Sequence, residues 1–312
     1  MVITDEIRDA CAWVAARATK VRIAESEISQ YAASLVLDHS EAPSPGATAP
    51  VAQTDREATA AFWLTLDAIN FGSGWFPTLR KREHPTGYGT IAAGIRQRFD
   101  QQGPWQAAEL AEVSSEELAT VLDQDPAHEL LQLFAASLRD LGTQLLAGYD
   151  GSFAAVVDEA DGAAVALVER LAGWEAFADV SLYDGRRVPF LKRAQIAAAD
   201  LSRAGVERFS DIAALTLFAD NLVPHVLRID GVLEFDQDLV ARIKRGELLI
   251  HDSPEEVEMR ACAVHAVELI VAALAAGGNT ATAMQIDETL WNRGQGTDYK
   301  SVPRPRSRNT AY

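Results

Sequence analysis

The sequence predicts an all-α protein. Three observations carry this reading. Apolar residues recur at three- and four-residue spacing over most of the chain. Helix-start chemistry stands just ahead of several of these stretches. The strict alternation expected of a half-buried strand is nearly absent.

Taken in order, "TDEIRDACAWVAARAT" predicts a helix capped by Thr4 or Asp5, with Ile7, Cys11, Val14 and Ala18 along one face. "HSEAPSPGATAPVAQTD", from His39 to Asp55, is rich in Pro, Ala, Ser and Thr and predicts a surface loop. "HELLQLFAASLRDLGTQLLAGY" places Leu130, Phe134, Leu138, Leu141 and Leu145 on one stripe, which Gly148 can end. "SFAAVVDEADGAAVALVERLAGW" continues the pattern through Phe153, Val157, Ala160, Ala164, Leu167 and Leu171. "DVSLYDGRRVPF" can hold a short hairpin turning at Asp184-Gly185. "RFSDIAALTLFADNLVPHVLR" reads helix, turn, helix, with Ser210 as the first cap, a buried helix tail up to Phe218 and a second helix starting near Pro224. "SPEEVEMRACAVHAVELIVAAL" opens with Ser253 as cap, Pro254 in the first turn, and Glu255 and Glu256 at the positive end of the helix. The resulting organisation is an N-terminal helical segment over 1–38, a loop over 39–55 and a helical region over 56–312, packed with the first segment as one compact unit.

Composition narrows the partners. The chain has 312 residues, 48% of them hydrophobic and 23% charged, an ordinary globular balance. Its formal net charge of -17 repels a phosphate backbone, so duplex nucleic acid is not an expected partner, whereas a small charged ligand held by a few local cations is compatible. The two cysteines form no CxxC pair, so no zinc site or disulfide framework is signalled. His265 and Glu268 share a helix face, but one such pair points to no metal. "MVITDEIRDA" has no signal-peptide character, and the apolar window "AVHAVELIVAALAAGG" carries His265 and Glu268 and falls short of a clean span. The expectation is a cytoplasmic protein, off the membrane and without a metal or other cofactor.

Three segments carry side chains suited to chemistry. "FWLTLDAINFGSGWFPTL" is crowded with aromatics, and Asn70 and Phe71 stand where its helix gives way to a glycine-rich turn. Packed helix ends look like this; so do cavities in which an aromatic stacks on a flat ligand and an amide reads its edge. "VPFLKRAQIAAADL" carries Lys192 close to apolar surface, with Arg193 and Asp200 displaced from its helix face. A snorkelling surface lysine is the plain alternative. "LTLFADNLVPHVLR" holds one carboxylate, Asp220, between two apolar stretches. Such a group is costly to bury unless paired, so it is either a turn residue or a working one.

A lysine, a helical hairpin and an aspartate in this order resemble the Lys/Asp pair of helix-hairpin-helix glycosylases. "FLKRAQIAAADL", "LTLFADNLVPHVLR", "GVLEF", "SPEEVEMRA" and "LWN" resemble, in order and spacing, the queuosine salvage proteins, the queuosine 5'-phosphate N-glycosidases that release queuine. "DAINF" and the C-terminal "VPRPRSRNTAY" also fit. This chain departs from the pattern in "GSGWF", at Asn221 and Leu222, and at Pro305. The resemblance implies a helical, glycosylase-like fold and an active site built on Asp220 and Lys192.

For that reaction, Asp220 would stabilise the positive charge that develops on the ribose, or attack it directly, with Lys192 keeping Asp220 ionised. Queuine is a 7-deazapurine and lacks N7, so the usual purine protonation site is closed. Asn70 and Arg193 are candidate donors to the base, Glu256 a candidate acceptor from its guanine-like edge, and Phe71, Phe218 and Trp291 candidate stacking partners. Arg306 and Arg308 are candidates for the 5'-phosphate, with the helix start near Pro224 as an alternative. The basic tail is expected to order on binding, with Tyr312 packing beside the pocket. Asp200 and Arg260 complete the candidate substrate-binding set. Competing readings are an N-glycosidase of another modified deazapurine nucleotide or nucleoside, and a non-catalytic nucleotide-binding relative.

Overall fold

A computed structural model describes residues 2–37, 55–81 and 86–312. Among them the helices are α1 (Ile3–Ala15), α2 (Glu25–Ser34), α3 (Arg56–Ala68), α4 (Gly87–Gln102), α5 (Ala107–Glu112), α6 (Ser115–Leu122), α7 (Glu129–Gly148), α8 (Phe153–Asp158), α9 (Ala164–Ala172), α10 (Lys192–Arg203), α11 (Leu222–Ile229), α12 (Gln237–Lys244), α13 (Pro254–Ala276), α14 (Ala283–Gly294) and α15 (Thr297–Lys300). Two antiparallel two-stranded sheets complete the described residues: β1 (Val21–Ile23) with β4 (Leu233–Phe235), and β2 (Val180–Tyr183) with β3 (Arg186–Pro189). The all-α expectation holds, and the hairpin turns at Asp184-Gly185, where both residues have positive φ (47° and 76°). The β1–β4 pair went unseen in the sequence, because three-residue strands leave no periodic signal.

The core is organised on α13, against which α1, α2, β1 and α11 pack. This helix is rich in buried apolar residues, as a core helix must be. It is long and apolar enough to cross a membrane by length and composition, yet its Glu256, Glu258 and Arg260 are fully buried within the protein. Buried charges of this kind need partners. Glu258 accepts the backbone N–H groups of Thr19, Lys20 and Val21 and the Tyr183 hydroxyl, which fastens the N-terminal segment to α13.

Several local expectations are corrected. Thr4 and Asp5 lie inside α1, whose N-cap is Val2 with no side-chain cap. The pattern from Phe153 to Leu171 is two helices, because Asp161 and Gly162 take positive φ (48° and 72°) between them. Asp211 receives the N–H groups of Ala164 and Val165 and so starts α9. The segment leading to Asp220 is not a helix. A 3₁₀ turn over Ile212–Ala214 is followed by irregular chain up to Asn221. Side chains take the N–H groups a helix would use: Gln195 accepts that of Thr216, and Asp287 that of Phe218. Ser210 caps nothing and instead bonds the Gly162 carbonyl. The helical hairpin expected between Lys192 and Asp220 is thus absent, although α11 does begin near Pro224, at Leu222. Most of the loop expected over 39–55 lies outside the described residues; its last residue, Asp55, caps α3.

The C-terminal tail is packed into the protein without a helix or a regular sheet. The Leu249 N–H bonds the Arg306 carbonyl, Asn221 donates to the Pro305 carbonyl, and the Gly72 N–H bonds the Tyr312 carbonyl. Asn309 accepts the N–H groups of Ala311 and Tyr312, and Ser307 and Tyr312 are buried. The tail is thus packed against the body of the protein, with Tyr312 lining the cavity. The glycine-rich turn makes room for it. A Cβ at Gly74 would press into the Ser307 carbonyl. Gly74→Ala should therefore destabilise the protein by ~1–3 kcal/mol, the usual cost of overpacking against rigid backbone. The check is the denaturant midpoint; an unchanged midpoint would show that the tail moves aside freely.

Candidate active site

Two chain turns set the site. The first is the entry to α10. Leu191, buried and non-glycine, holds a left-handed φ of 53°. That conformation costs roughly 1–3 kcal/mol and persists only where neighbours enforce it. Asp179 does so. Its carbonyl accepts the N–H groups of Phe190 and Leu191, and its Oδ2 accepts the Lys192 N–H at 3.0 Å. The same oxygen accepts Arg260 Nη2 at 2.7 Å. Arg260 Nε in turn donates to the Ala219 carbonyl at 3.0 Å, next to Asp220. One buried ion pair thereby fixes both turns, and its guanidinium lies over the Phe190 and Tyr312 rings. Removing either partner would leave an uncompensated buried charge.

The second turn carries Asp220. Its Oδ1 accepts the N–H groups of Leu222 and Val223 at 2.7 and 3.0 Å. It is a turn residue in the full sense, since it satisfies the open start of α11. Its other oxygen takes no hydrogen bond from the described residues, and Asp220 lines a cavity of about 430 Å³. Asp220 thus serves as a turn residue through one oxygen and leaves the other free for a ligand.

Lys192 lines the same cavity and is 6% exposed, so it is no snorkelling surface residue. Its Nζ donates to the Asn70 carbonyl at 2.8 Å and to Asn70 Oδ1 at 3.2 Å. Among the described residues no carboxylate lies within ion-pair distance of Nζ. Its attraction to Asp220 acts through space, without contact. Burial pushes the Lys192 ammonium down to about 8, against the upward pull of Asp220.

This shift gives a pH prediction. The ammonium is charged below about 8 and neutral above it. Turnover that depends on its charge should fall as pH rises through that value, and Lys192→Arg, which stays charged, should lack this limb. Unfolding does not explain such a fall. The unfolded lysine titrates at ~10.4, so between the two values the unfolded state binds more protons, and this group's contribution to stability rises with pH. A pH–rate profile checks the assignment. A limb kept unchanged in Lys192→Arg would place it on another group.

The candidates divide plainly by position. Asn70, Phe71, Phe218, Trp291, Arg306 and Tyr312 line the cavity with Asp220 and Lys192. Arg193, Asp200, Glu256, Arg260 and Arg308 do not. Arg193 is buried behind the wall, donating to the Ala68 carbonyl at 2.5 Å and lying over Phe71. Asp200 bonds Arg203, which also binds Glu288. Glu256 accepts the Asp252 N–H and faces Arg260 and Tyr312. Arg308 is exposed, pairs with Glu129 at 3.3 Å and lies over Trp75.

The sequence reading missed a further set. Lys81 and Arg304 line the cavity close to the expected Arg306. Arg304 Nε is buried without a partner among the described residues. Burial and then Arg306 push the Arg304 guanidinium down, and burial followed by Arg306 and Arg304 does the same to Lys81. Clustered cations of this kind are the groups with which an anion forms charge-assisted hydrogen bonds. Asp287 and Glu288 line the cavity from α14, with Trp291 one turn beyond Asp287. Tyr88 meets Trp291 edge-on, with ring centroids 6.4 Å apart. The tail motif "RPR" and the Asp287–Trp291 spacing were the available signals.

Fold and cavity together define a helical small-molecule-binding protein, with a free carboxylate oxygen in its cavity and a cluster of cations beside it. Residues 50–312 match the family described as queuosine salvage protein, and the chain belongs to that family. Relatives named queuosine 5'-phosphate N-glycosylase/hydrolase include one from Sphaerobacter thermophilus, 36% identical over 266 residues and covering 82% of each chain. Another, from Mus musculus, is 31% identical over 280 residues, again covering 82% of each. A third, from Schizosaccharomyces pombe, is 31% identical over 245 residues, covering 74% of this chain and 70% of its own.

Proposed function

We propose that the protein hydrolyses the N-glycosidic bond of queuosine 5'-phosphate and releases queuine, with Asp220 as the carboxylate that acts on the sugar and Lys192 as its electrostatic partner. The observation that carries this is the arrangement of charge around Asp220. Arg304 and Asp287 each lie within its electrostatic reach. A nucleotide has the same order: phosphate, sugar, base. With the sugar at Asp220, the phosphate falls to Arg304, Arg306 and Lys81. The base falls toward α14, where Trp291 offers a face. The net charge of -17 supports a free nucleotide over duplex nucleic acid. The buried, unpaired Cys11 and Cys262 suit the cytoplasm.

Bond cleavage builds positive charge on the ribose. The free Asp220 oxygen is preorganised against it, because Oδ1 is already anchored to α11. The test is chromatography of queuosine 5'-phosphate incubated with the purified protein. Free queuine and ribose 5-phosphate are expected. Intact substrate after prolonged incubation would leave a nucleotide-binding protein without this activity.

A further inference from the structure

Resting on the N-glycosidase reading, we infer that Asp287 is the acid that protonates the leaving base. Cleavage of the C1'–N bond sends its electron pair to the base, which must take up a proton. A 7-deazapurine has no N7 to receive it, so a donor has to reach another atom of the base. Asp287 is the side chain placed to do this. It stands on α14, lines the cavity, and is 7% exposed. Its Oδ1 is occupied by the Phe218 N–H at 3.2 Å, which fixes the carboxyl in the wall. Among the described residues no lysine or arginine lies within ion-pair distance of it. Glu288, the neighbouring carboxylate in the cavity wall, pairs with Arg203 at 3.0 Å, so the two acids have different environments.

The charged groups around Asp287 are Asp220, Arg203 and Lys192, with Glu288 beside it on α14. Burial first, and then the negative charge of Asp220, raise the Asp287 carboxyl well above the usual range, against the smaller pull of Arg203 and Lys192. Two carboxylates whose environments separate their protonation states are a recurrent acid/base arrangement. Asp220 stays on the sugar side, and Asp287 carries a proton on the base side.

The balance closes. The C1'–N bond breaks, its electron pair stays on the base, and the Asp287 proton goes to a ring nitrogen of the base. Water supplies the oxygen that bonds to C1', and its released proton restores Asp287. The sum is one water added across the bond.

The experiment compares two substrates in Asp287→Asn, Asp287→Glu and wild type. One is queuosine 5'-phosphate. The other is 4-nitrophenyl β-D-ribofuranoside 5-phosphate, whose phenolate leaves without a proton. Asparagine still accepts the Phe218 N–H through its side-chain oxygen. Loss of a general acid costs on the order of a hundredfold to ten-thousandfold. Asp287→Asn should lose that much in kcat on the nucleotide and far less on the nitrophenyl substrate, and Asp287→Glu should regain part of the nucleotide activity. Besides the Lys192 limb that both substrates share, the wild-type profile for the nucleotide should carry a second high-pH limb that is missing for the nitrophenyl substrate and that Lys192→Arg retains. Equal losses on both substrates, or no loss on either, would overturn the assignment while leaving the N-glycosidase reading intact. A wild type unable to cleave the nucleotide would instead defeat that reading, and this role with it.

Discussion

Asp220→Asn should lower the turnover of queuosine 5'-phosphate by on the order of a hundredfold or more, the scale seen when one preorganised electrostatic group is lost. The substitution is well controlled. Asparagine offers the same side-chain oxygen to the N–H groups of Leu222 and Val223, so the start of α11 is kept. What disappears is the negative charge on the oxygen facing the cavity. That charge matters most when the ribose becomes cationic and little in the ground state. The fall should therefore appear in kcat, with KM changing far less. Melting temperature and steady-state kinetics of the variant check this. Near-normal kcat in a folded Asp220→Asn protein would remove Asp220 from the chemistry and leave it a turn residue alone.

Arg304→Gln should weaken discrimination between the 5'-phosphate nucleotide and the bare nucleoside by about tenfold to a hundredfold. This follows from ~1.5–3 kcal/mol for a charge-assisted hydrogen bond. The readout is the ratio of kcat/KM for the two substrates. Arg304 is the sharper test because its Nε is buried without a partner among the described residues. Arg308→Gln, which breaks an exposed pair with Glu129 and a contact over Trp75, both outside the cavity lining, should leave the ratio unchanged. Deleting the tail would be a poor substitute. Its backbone bonds Gly72, Asn221 and Leu249, so truncation would disturb the cavity wall along with the phosphate site. A ratio lost in Arg308→Gln and kept in Arg304→Gln would reverse the assignment.

Much of this protein is legible in its sequence, because helices announce themselves. The stripe from Leu130 to Leu145 and the Pro254 helix start are local patterns, and the observed α7 and α13 follow them. Asp184-Gly185 gave the hairpin for the same reason: the turn's backbone requirement falls on two adjacent residues. Asp220 and Lys192 were legible through motif resemblance, and both line the cavity. The misreading before Asp220 has a physical cause. "ALTLF" is apolar enough to be a buried helix. Its backbone partners, however, are Gln195 and Asp287, which come from other parts of the chain.

The sequence by itself determined the helical class, most helix positions, and the acidic character that disfavours duplex nucleic acid. Only the tertiary structure decided which polar side chains face the cavity. Arg193 and Lys192 are neighbours on one helix, yet Lys192 reaches the cavity and Arg193 is buried behind its wall. Arg304, Arg306 and Arg308 alternate along one tail, yet the first two face the cavity and the third pairs outside it. Helix formation depends on residues within a turn or two of each other, so a single chain records it. The direction and partner of a buried charge depend on groups tens to hundreds of residues away. Asp179 and Arg260 show this: 81 positions apart, they meet at 2.7 Å and together fix the turns that carry Lys192 and Asp220.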